Sequence, residues 1–194
     1  MVKLTGLKKI KTAVFISGTG SNLKNLIKFS KIKKSPISIN LIFSNTSKAK
    51  GLKFSNQFNI KKNISSFKHP KIAEKKILDL LNKENIKFIC LAGFMKILSK
   101  SFIKNFSGKI INIHPSLLPK YKGLNTHTKA IQNKDKIAGC TVRFVTAKLD
   151  SGKIILQKKV KIYKKDTPTS LAKKVLRQEH KLYPMAIKKI FNQS

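Results

Sequence analysis

Apolar residues along the chain fall into two alternating patterns. Short unbroken runs at 12–17 (TAVFIS), 38–43, 88–91 (FICL) and 110–114 (IINIH) have the length and make-up of strands buried on both faces. Between them, apolar residues recur three and four apart. Residues 22–32 carry Leu23, Leu26, Ile27 and Ile32 at helical spacing, and 49–58 predict a second helix. Residues 72–81, opened by Pro70, put Ile72, Ala73, Ile77, Leu80 and Leu81 on one face of a third. Two more strands, 140–145 and 154–160, flank a turn that contains Asp150, Ser151 and Gly152. A last helix is expected over 168–191, with Pro184 ending or kinking it.

Strands alternating with helices over short connections specify an α/β fold, a single-domain doubly wound and mostly parallel sheet with helices on both faces. No internal repeat or linker interrupts it, so 1–194 reads as one domain. Ligands of such folds bind outside the carboxyl ends of the strands. The segments 18–22 and 93–98, the stretch from His114 onward and the turn at Asp150 all follow strands, and contact among them is expected. Residues 115–128, with Pro119, Gly123 and little periodicity, are too long for an ordinary connector and form a candidate binding loop.

Composition narrows the class. A chain of 194 residues buries roughly 70% of its unfolded surface and needs no metal or disulfide to hold a core. Hydrophobic residues make up 41%, which argues against a disordered basic tail. No apolar run reaches the ~18 residues of a membrane span. Residues 1–17 lack the apolar core of a signal peptide, so a cytoplasmic protein is expected. Cys90 and Cys140 match no metal or redox spacing and read as small core residues.

Charge complicates this picture. Formal net charge is +36, from 43 basic residues against seven acids. Such an excess raises nucleic acid as a partner, and a basic nucleic-acid-binding α/β module is an alternative reading. Two features weigh against it. All basic residues except Arg143 and Arg177 are lysine, whereas base edges are read mainly by the planar guanidinium. The lysines are also spread along the whole chain, as compositional drift on a solvated surface would leave them. Nucleic acid is therefore not the expected partner, and in either case the field attracts anionic small molecules.

Three stations carry candidate chemistry. Residues 18–22 (GTGSN) join a strand to a helix and lack the third glycine of a dinucleotide fingerprint, since Leu23 stands there. They offer a tight turn and a helix start, capped by Ser21 or Asn22, that attracts a phosphate; an ordinary capped turn reads the same way. Asn112 and His114 sit two apart at a strand end and project to one face. An amide N–H beside an imidazole suits a carbonyl oxygen that gains negative charge during attack, although a polar pair closing a strand looks alike. Asp150 is one of only seven carboxylates (with Glu74, Asp79, Glu84, Asp135, Asp166 and Glu179), and a carboxylate beside an imidazole favours the protonated ring. No cluster has metal-ligand spacing, and no metal is expected.

With these residues in view, the chain resembles the folate-dependent formyltransferases. The matching stretches are ISGTGSNL at 16–23, SNTSKAKGL at 44–52, LAGFMKILS at 91–99, INIHPSLLPKYKGLNTH at 111–127, GCTVRFVTAKLDSGKIILQ at 139–157 and RQEHKLYP at 177–184. They span nearly the whole chain in order. The last points to the branch of purine biosynthesis that formylates the amine of 5-phosphoribosylglycinamide, with 10-formyltetrahydrofolate as co-substrate. The resemblance implies that Asn112, His114 and Asp150 are catalytic. It implies that Gly20, Ser21 and Asn22 hold the substrate phosphate, with Glu179 near the glycinamide end. Met95, Lys96, Ile97 and Leu98, with Asn112, would line the folate pocket. The loop after Pro115 would close on the cofactor, and the turn at 146–150 would lie against the pterin. Small-molecule partners and a monomer or homodimer go with this reading. The alternative within the fold, methionyl-tRNA formyltransferase, normally adds a C-terminal RNA-binding domain, which is not expected after Ser194; the related deformylase usually adds an N-terminal regulatory domain. Where family members usually carry His, this chain has Arg143 and Asn125; LDSG replaces LDGG, and Lys96 replaces a frequent arginine.

Overall fold

The computed structural model describes residues 9–191. Seven strands form one sheet: β1 (Ile10–Ile16), β2 (Ile37–Ser44), β3 (Lys61–Ile64), β4 (Phe88–Leu91), β5 (Lys109–His114), β6 (Ile137–Phe144) and β7 (Ile154–Lys161). Six α-helices accompany them: α1 (Ser21–Ser30), α2 (Lys53–Phe58), α3 (Pro70–Lys83), α4 (Lys100–Asn105), α5 (Thr126–Gln132) and α6 (Pro168–Phe191). The sheet order is β3-β2-β1-β4-β5-β6-β7. The first five strands run parallel; β6 runs antiparallel to β5, and β7, antiparallel to β6, returns to the direction of the first five.

The continuous apolar runs are explained by two cores, one on each side of the sheet. Along β1, Val14 and Ile16 point into a core shared with Leu23, Leu26 and Ile27 of α1 and Leu171, Val175 and Leu182 of α6. Ala13 and Phe15 point the other way, onto Ala73, Ile77 and Leu81 of α3 and Phe102 of α4. With both faces covered, a central strand has no polar side to show, and alternation disappears from its sequence. The strand order reverses between β1 and β4. Their carboxyl ends open onto residues 18–22 and 93–98, which is where a doubly wound sheet leaves its ligand crevice.

The structure departs from the sequence pattern at several elements. Residues 49–58 divide into a 3-10 turn (Lys50–Leu52) and the short α2. β3 and α4 carry no periodicity that announces them: β3 reads KKNI on the sheet edge, and α4 buries only Phe102. Ile72 is exposed and leaves the buried stripe of α3, which Ala73, Glu74, Ile77 and Leu81 form instead.

Pro184 neither ends α6 nor leaves a vacant acceptor inside it. A proline at this position removes the N–H that would have bonded the carbonyl of residue 180. In this fold, Asn25 of α1 donates from Nδ2 to that carbonyl, His180 O, at 2.6 Å. The neighbouring Tyr183 is fully buried, and its hydroxyl reaches Leu91 O at 2.9 Å at the end of β4, close to Ile111 O of β5. α6 is thus tied to α1 and to the strand ends that carry the site.

Candidate active site

Asn112 and His114 lie two apart on β5 and share a face of the sheet. The antiparallel register of β6 sets Arg143 opposite Asn112 and Thr141 opposite His114. Residues directly opposite across a ladder point the same way, so Arg143 joins the face of the amide and the imidazole. His114 is buried, with Nε2 2.9 Å from the carbonyl oxygen of Tyr121. A carbonyl only accepts, so Nε2–H donates to it and Nδ1 is left as the nitrogen that exchanges a proton. Nδ1 faces Asp150, 3.6 Å from Oδ2.

Asp150 is buried and adopts a left-handed backbone conformation (φ 49°), which costs a residue with a Cβ about 1–2 kcal/mol. Its carboxylate compensates with two firm contacts. Oδ2 accepts the Gly123 N–H at 2.9 Å, and Oδ1 accepts Nη2 of Arg143 in a buried ion pair. Burial pushes the Asp150 carboxyl upward. The Gly123 N–H, the His114 ring and Arg143 together outweigh that and hold it below the ordinary carboxylate range.

The route by which Asp150 arrives differs from the simple expectation that it stands at the carboxyl edge with the other segments. β6 runs antiparallel to β5, and its last residue, Phe144, pairs with Ile111. The turn after it therefore leaves the sheet below His114, and it must return toward the ring to make the contact. Gly152 permits this fold: a Cβ there would stand 1.8 Å from Phe144 O.

At the other end of the site, α1 starts at Gly20, which has φ 74°. A side chain at Gly20 would meet the Gly51 backbone at 2.7 Å, so only glycine allows this close approach. Neither Ser21 nor Asn22 caps the helix with its side chain, contrary to the expectation from sequence. Asn22 instead donates from Nδ2 to Glu179 Oε2 at 2.7 Å, joining α1 to α6 across the site. The first turn of α1 carries no acid and presents backbone N–H groups without intrahelical partners. Burial raises the Glu179 carboxyl above its usual range, against the opposing Asn22 bond.

A cleft of about 750 Å³ joins these groups. It is bordered by Asn22, Met95, Lys96, Ile97, Leu98, Asn112, His114, Asp150 and Glu179; Gly20 and Ser21 lie beside it, immediately before Asn22. All the candidate residues are thus gathered in one region. Met95 and Ile97 are 63% and 68% exposed, Leu124 and Leu149 stand out likewise, and Leu98 is buried. So much open apolar surface around one cleft suits a large, partly aromatic ligand. Two buried polar atoms on its walls, Asn22 Oδ1 and Arg143 Nε, have no partner among the described residues. Both fit a ligand that brings hydrogen-bonding groups. Among the described residues no group of His, Cys, Asp or Glu could hold a metal ion.

Several contributors were not visible in the sequence. The Met95 N–H donates to Ser17 Oγ at 2.8 Å, and the Ser99 N–H to the buried Glu74 at 2.7 Å, so the apolar segment is pinned at both ends. The Tyr121 carbonyl and Gly123 N–H come from the candidate binding loop, and His127 of α5 also borders the cleft. Burial lowers the His127 ring, helped by His114 nearby. The pairing of Arg143 with Asp150 was equally hidden. Its usable signals are that Arg143 is one of only two arginines among 43 basic residues and stands where the resembled family usually carries His.

Residues 10–187 match the family model described as formyl transferase. Phosphoribosylglycinamide formyltransferase of Escherichia coli (strain K12) is 39% identical over 177 residues, covering 90% of this chain and 84% of that protein. The human trifunctional purine biosynthetic protein adenosine-3 is 40% identical over 183 residues, covering 93% of this chain, which spans only 18% of that protein. The crystal structure of phosphoribosylglycinamide formyltransferase from Brucella melitensis superposes with a TM-score of 0.89 at 40% identity, covering 94% of this chain and 96% of that one.

Proposed function

The chain belongs to the formyl transferase family, and from that premise we propose that it transfers the formyl group of 10-formyltetrahydrofolate to the amine of 5-phosphoribosylglycinamide, a step of purine biosynthesis. The observation that carries this reading is the meeting of Asn112, His114 and Asp150 at a cleft that also reaches the anion-receptive start of α1.

The donor supplies an activated formyl group; the residues of this chain supply position and proton transfer. Gly20, Ser21 and Asn22 receive the phosphate on backbone N–H groups at the start of α1. Glu179, paired with Asn22, stands where it can accept an N–H of the glycinamide end. Met95, Ile97 and Leu98 give the donor an apolar wall, with Lys96 alongside. As the amine nitrogen adds to the formyl carbon, the formyl oxygen gains charge, which the Asn112 amide and the protonated His114 ring stabilise. The new carbon–nitrogen bond then persists while the bond to the folate nitrogen breaks. The amine has lost one proton and the departing nitrogen has gained one, so the balance closes. His114 Nδ1 handles that proton, and Asp150 keeps the ring oriented and charge-balanced. The reading also has the protein working in the cytoplasm on small molecules, as a monomer or homodimer.

The test is a spectrophotometric assay of purified protein with the folate donor and two acceptors. Phosphoribosylglycinamide should be formylated and initiator methionyl-tRNA should not. Turnover of the tRNA, or none of the ribotide, overturns the assignment.

A further inference from the structure

The reaction as derived above gives no role to Arg143, yet this is the most closely held charge at the site. Its side chain is 5% exposed on β6, flanked in sequence by the core residue Val142 and directly opposite Asn112. One guanidinium nitrogen, Nη1, donates to Phe144 O at 3.1 Å, and Nη2 donates to Asp150 Oδ1. The first bond fixes the guanidinium against the start of the turn, and the second fixes the carboxylate at the turn's far end. A buried ion pair is seldom retained for stability, since apolar residues of similar volume usually serve as well. The location of this pair, 3.6 Å from the ring that moves the proton, gives it a different use.

We propose that Arg143 is a positioning residue for formyl transfer, a permanent cation that fixes the Asp150 carboxylate beside His114 and the Gly123 N–H. The inference rests on the proposed reaction. Asp150 sits in a left-handed backbone conformation within an exposed turn, and its side-chain contacts draw the carboxylate inward. Of those contacts, Gly123 belongs to a loop and His114 changes charge during turnover. Arg143 alone is both anchored on a strand and always charged. It also supplies what a buried carboxylate lacks: with Arg143 present, the pair is neutral and Asp150 stays ionised while the ring cycles. The groups that face Asp150 are His114 from β5, Arg143 from β6 and the Gly123 N–H from the loop. Lys96, His127 of α5 and Glu179 of α6 are the further titratable groups bordering the cleft, and Lys148 lies in the same turn.

The experiment compares wild type, Arg143→Gln, Asp150→Asn and the double variant, with kcat and KM measured across pH. Arg143→Gln should lower kcat by roughly tenfold to a hundredfold. KM for the phosphorylated amine should stay within about twofold. The acid limb of the pH profile should move upward, because losing a cation lets burial raise the carboxyl. In the Asp150→Asn background the same change should have little further effect, within about threefold. An unmoved acid limb, or losses that multiply in the double variant, overturns the proposal. If Arg143→Gln does not fold, Arg143→Met, uncharged and similar in length, carries the same cycle. A kcat reduced with Asp150 present, and not reduced further in the Asp150→Asn background, supports the proposal; equal effects in both backgrounds overturn it. An active wild type upholds formyl transfer whichever way the variants fall, whereas an inactive wild type removes both readings.

Discussion

At the scale of single residues, the site is organised by which atoms are already occupied. His114 Nε2 is committed to a backbone carbonyl, and that commitment leaves Nδ1 for the reaction. Replacing the ring removes the proton carrier but not the cleft. His114→Ala should therefore keep its fold and bind both substrates, while kcat falls at least roughly a hundredfold, as expected for loss of a positioned acid–base group. A loss of only a few-fold in a folded variant contradicts the assignment. Asp150 adds a stability consequence. Its carboxyl is held low in the folded state by the Gly123 N–H, the His114 ring and Arg143, so these contacts together contribute fully above the ordinary carboxylate range. That contribution drains away as pH falls below about 4. Asn112, His114 and Asp150 were legible from sequence because an i, i+2 pair on a strand and a scarce carboxylate both leave marks. Arg143 was marked by the rarity of arginine and by replacing the His usual in the resembled family, but its pairing with Asp150 depends on how the turn after β6 folds back, which the local sequence does not specify.

At the scale of elements, α6 illustrates how a local rule is met by a distant residue. Proline inside a helix leaves one carbonyl unbonded, and the sequence therefore predicts an end or a kink at Pro184. The helix continues to Phe191 because Asn25, 155 residues before His180, fills the vacancy. Asn25→Ala should cost about 1 kcal/mol, read as a lower denaturant midpoint at unchanged slope. The cost should shrink in a Pro184→Ala background, where residue 184 regains an N–H for the same carbonyl. Equal costs in the two backgrounds would show that Asn25 acts elsewhere. The same contrast explains which elements could be read. Strands buried on both faces and helices with a wide apolar stripe announced themselves. β3 and α4 did not, because an edge strand reading KKNI and a helix with one buried side chain take their conformation from neighbours.

At the scale of the molecule, the charge excess has to be reconciled with an enzyme of small substrates. Lysines occur on helices of both sheet faces, as Lys24 and Lys28 on α1 and Lys71, Lys75 and Lys76 on α3. They occur on both edge strands too, as Lys61 and Lys62 on β3 and Lys158, Lys159 and Lys161 on β7. A stripe tracking one polyanion would be confined to a face; this distribution encloses the fold. Charged side chains on the two edges also discourage strand pairing between molecules. What a diffuse positive field does for a phosphorylated substrate is to raise its encounter rate, and that effect is screened over about 8–10 Å at ordinary salt. The steady-state consequence is specific. Between roughly 20 and 300 mM sodium chloride, kcat/KM for the phosphorylated amine should fall several-fold. Over the same range kcat at saturation should change by less than about twofold, because the charged groups at the cleft, His114, Asp150 and Arg143, are buried and screened far less. A kcat/KM that is flat in salt would mean the surface lysines play no part in capture, leaving the start of α1 to gather the phosphate unaided.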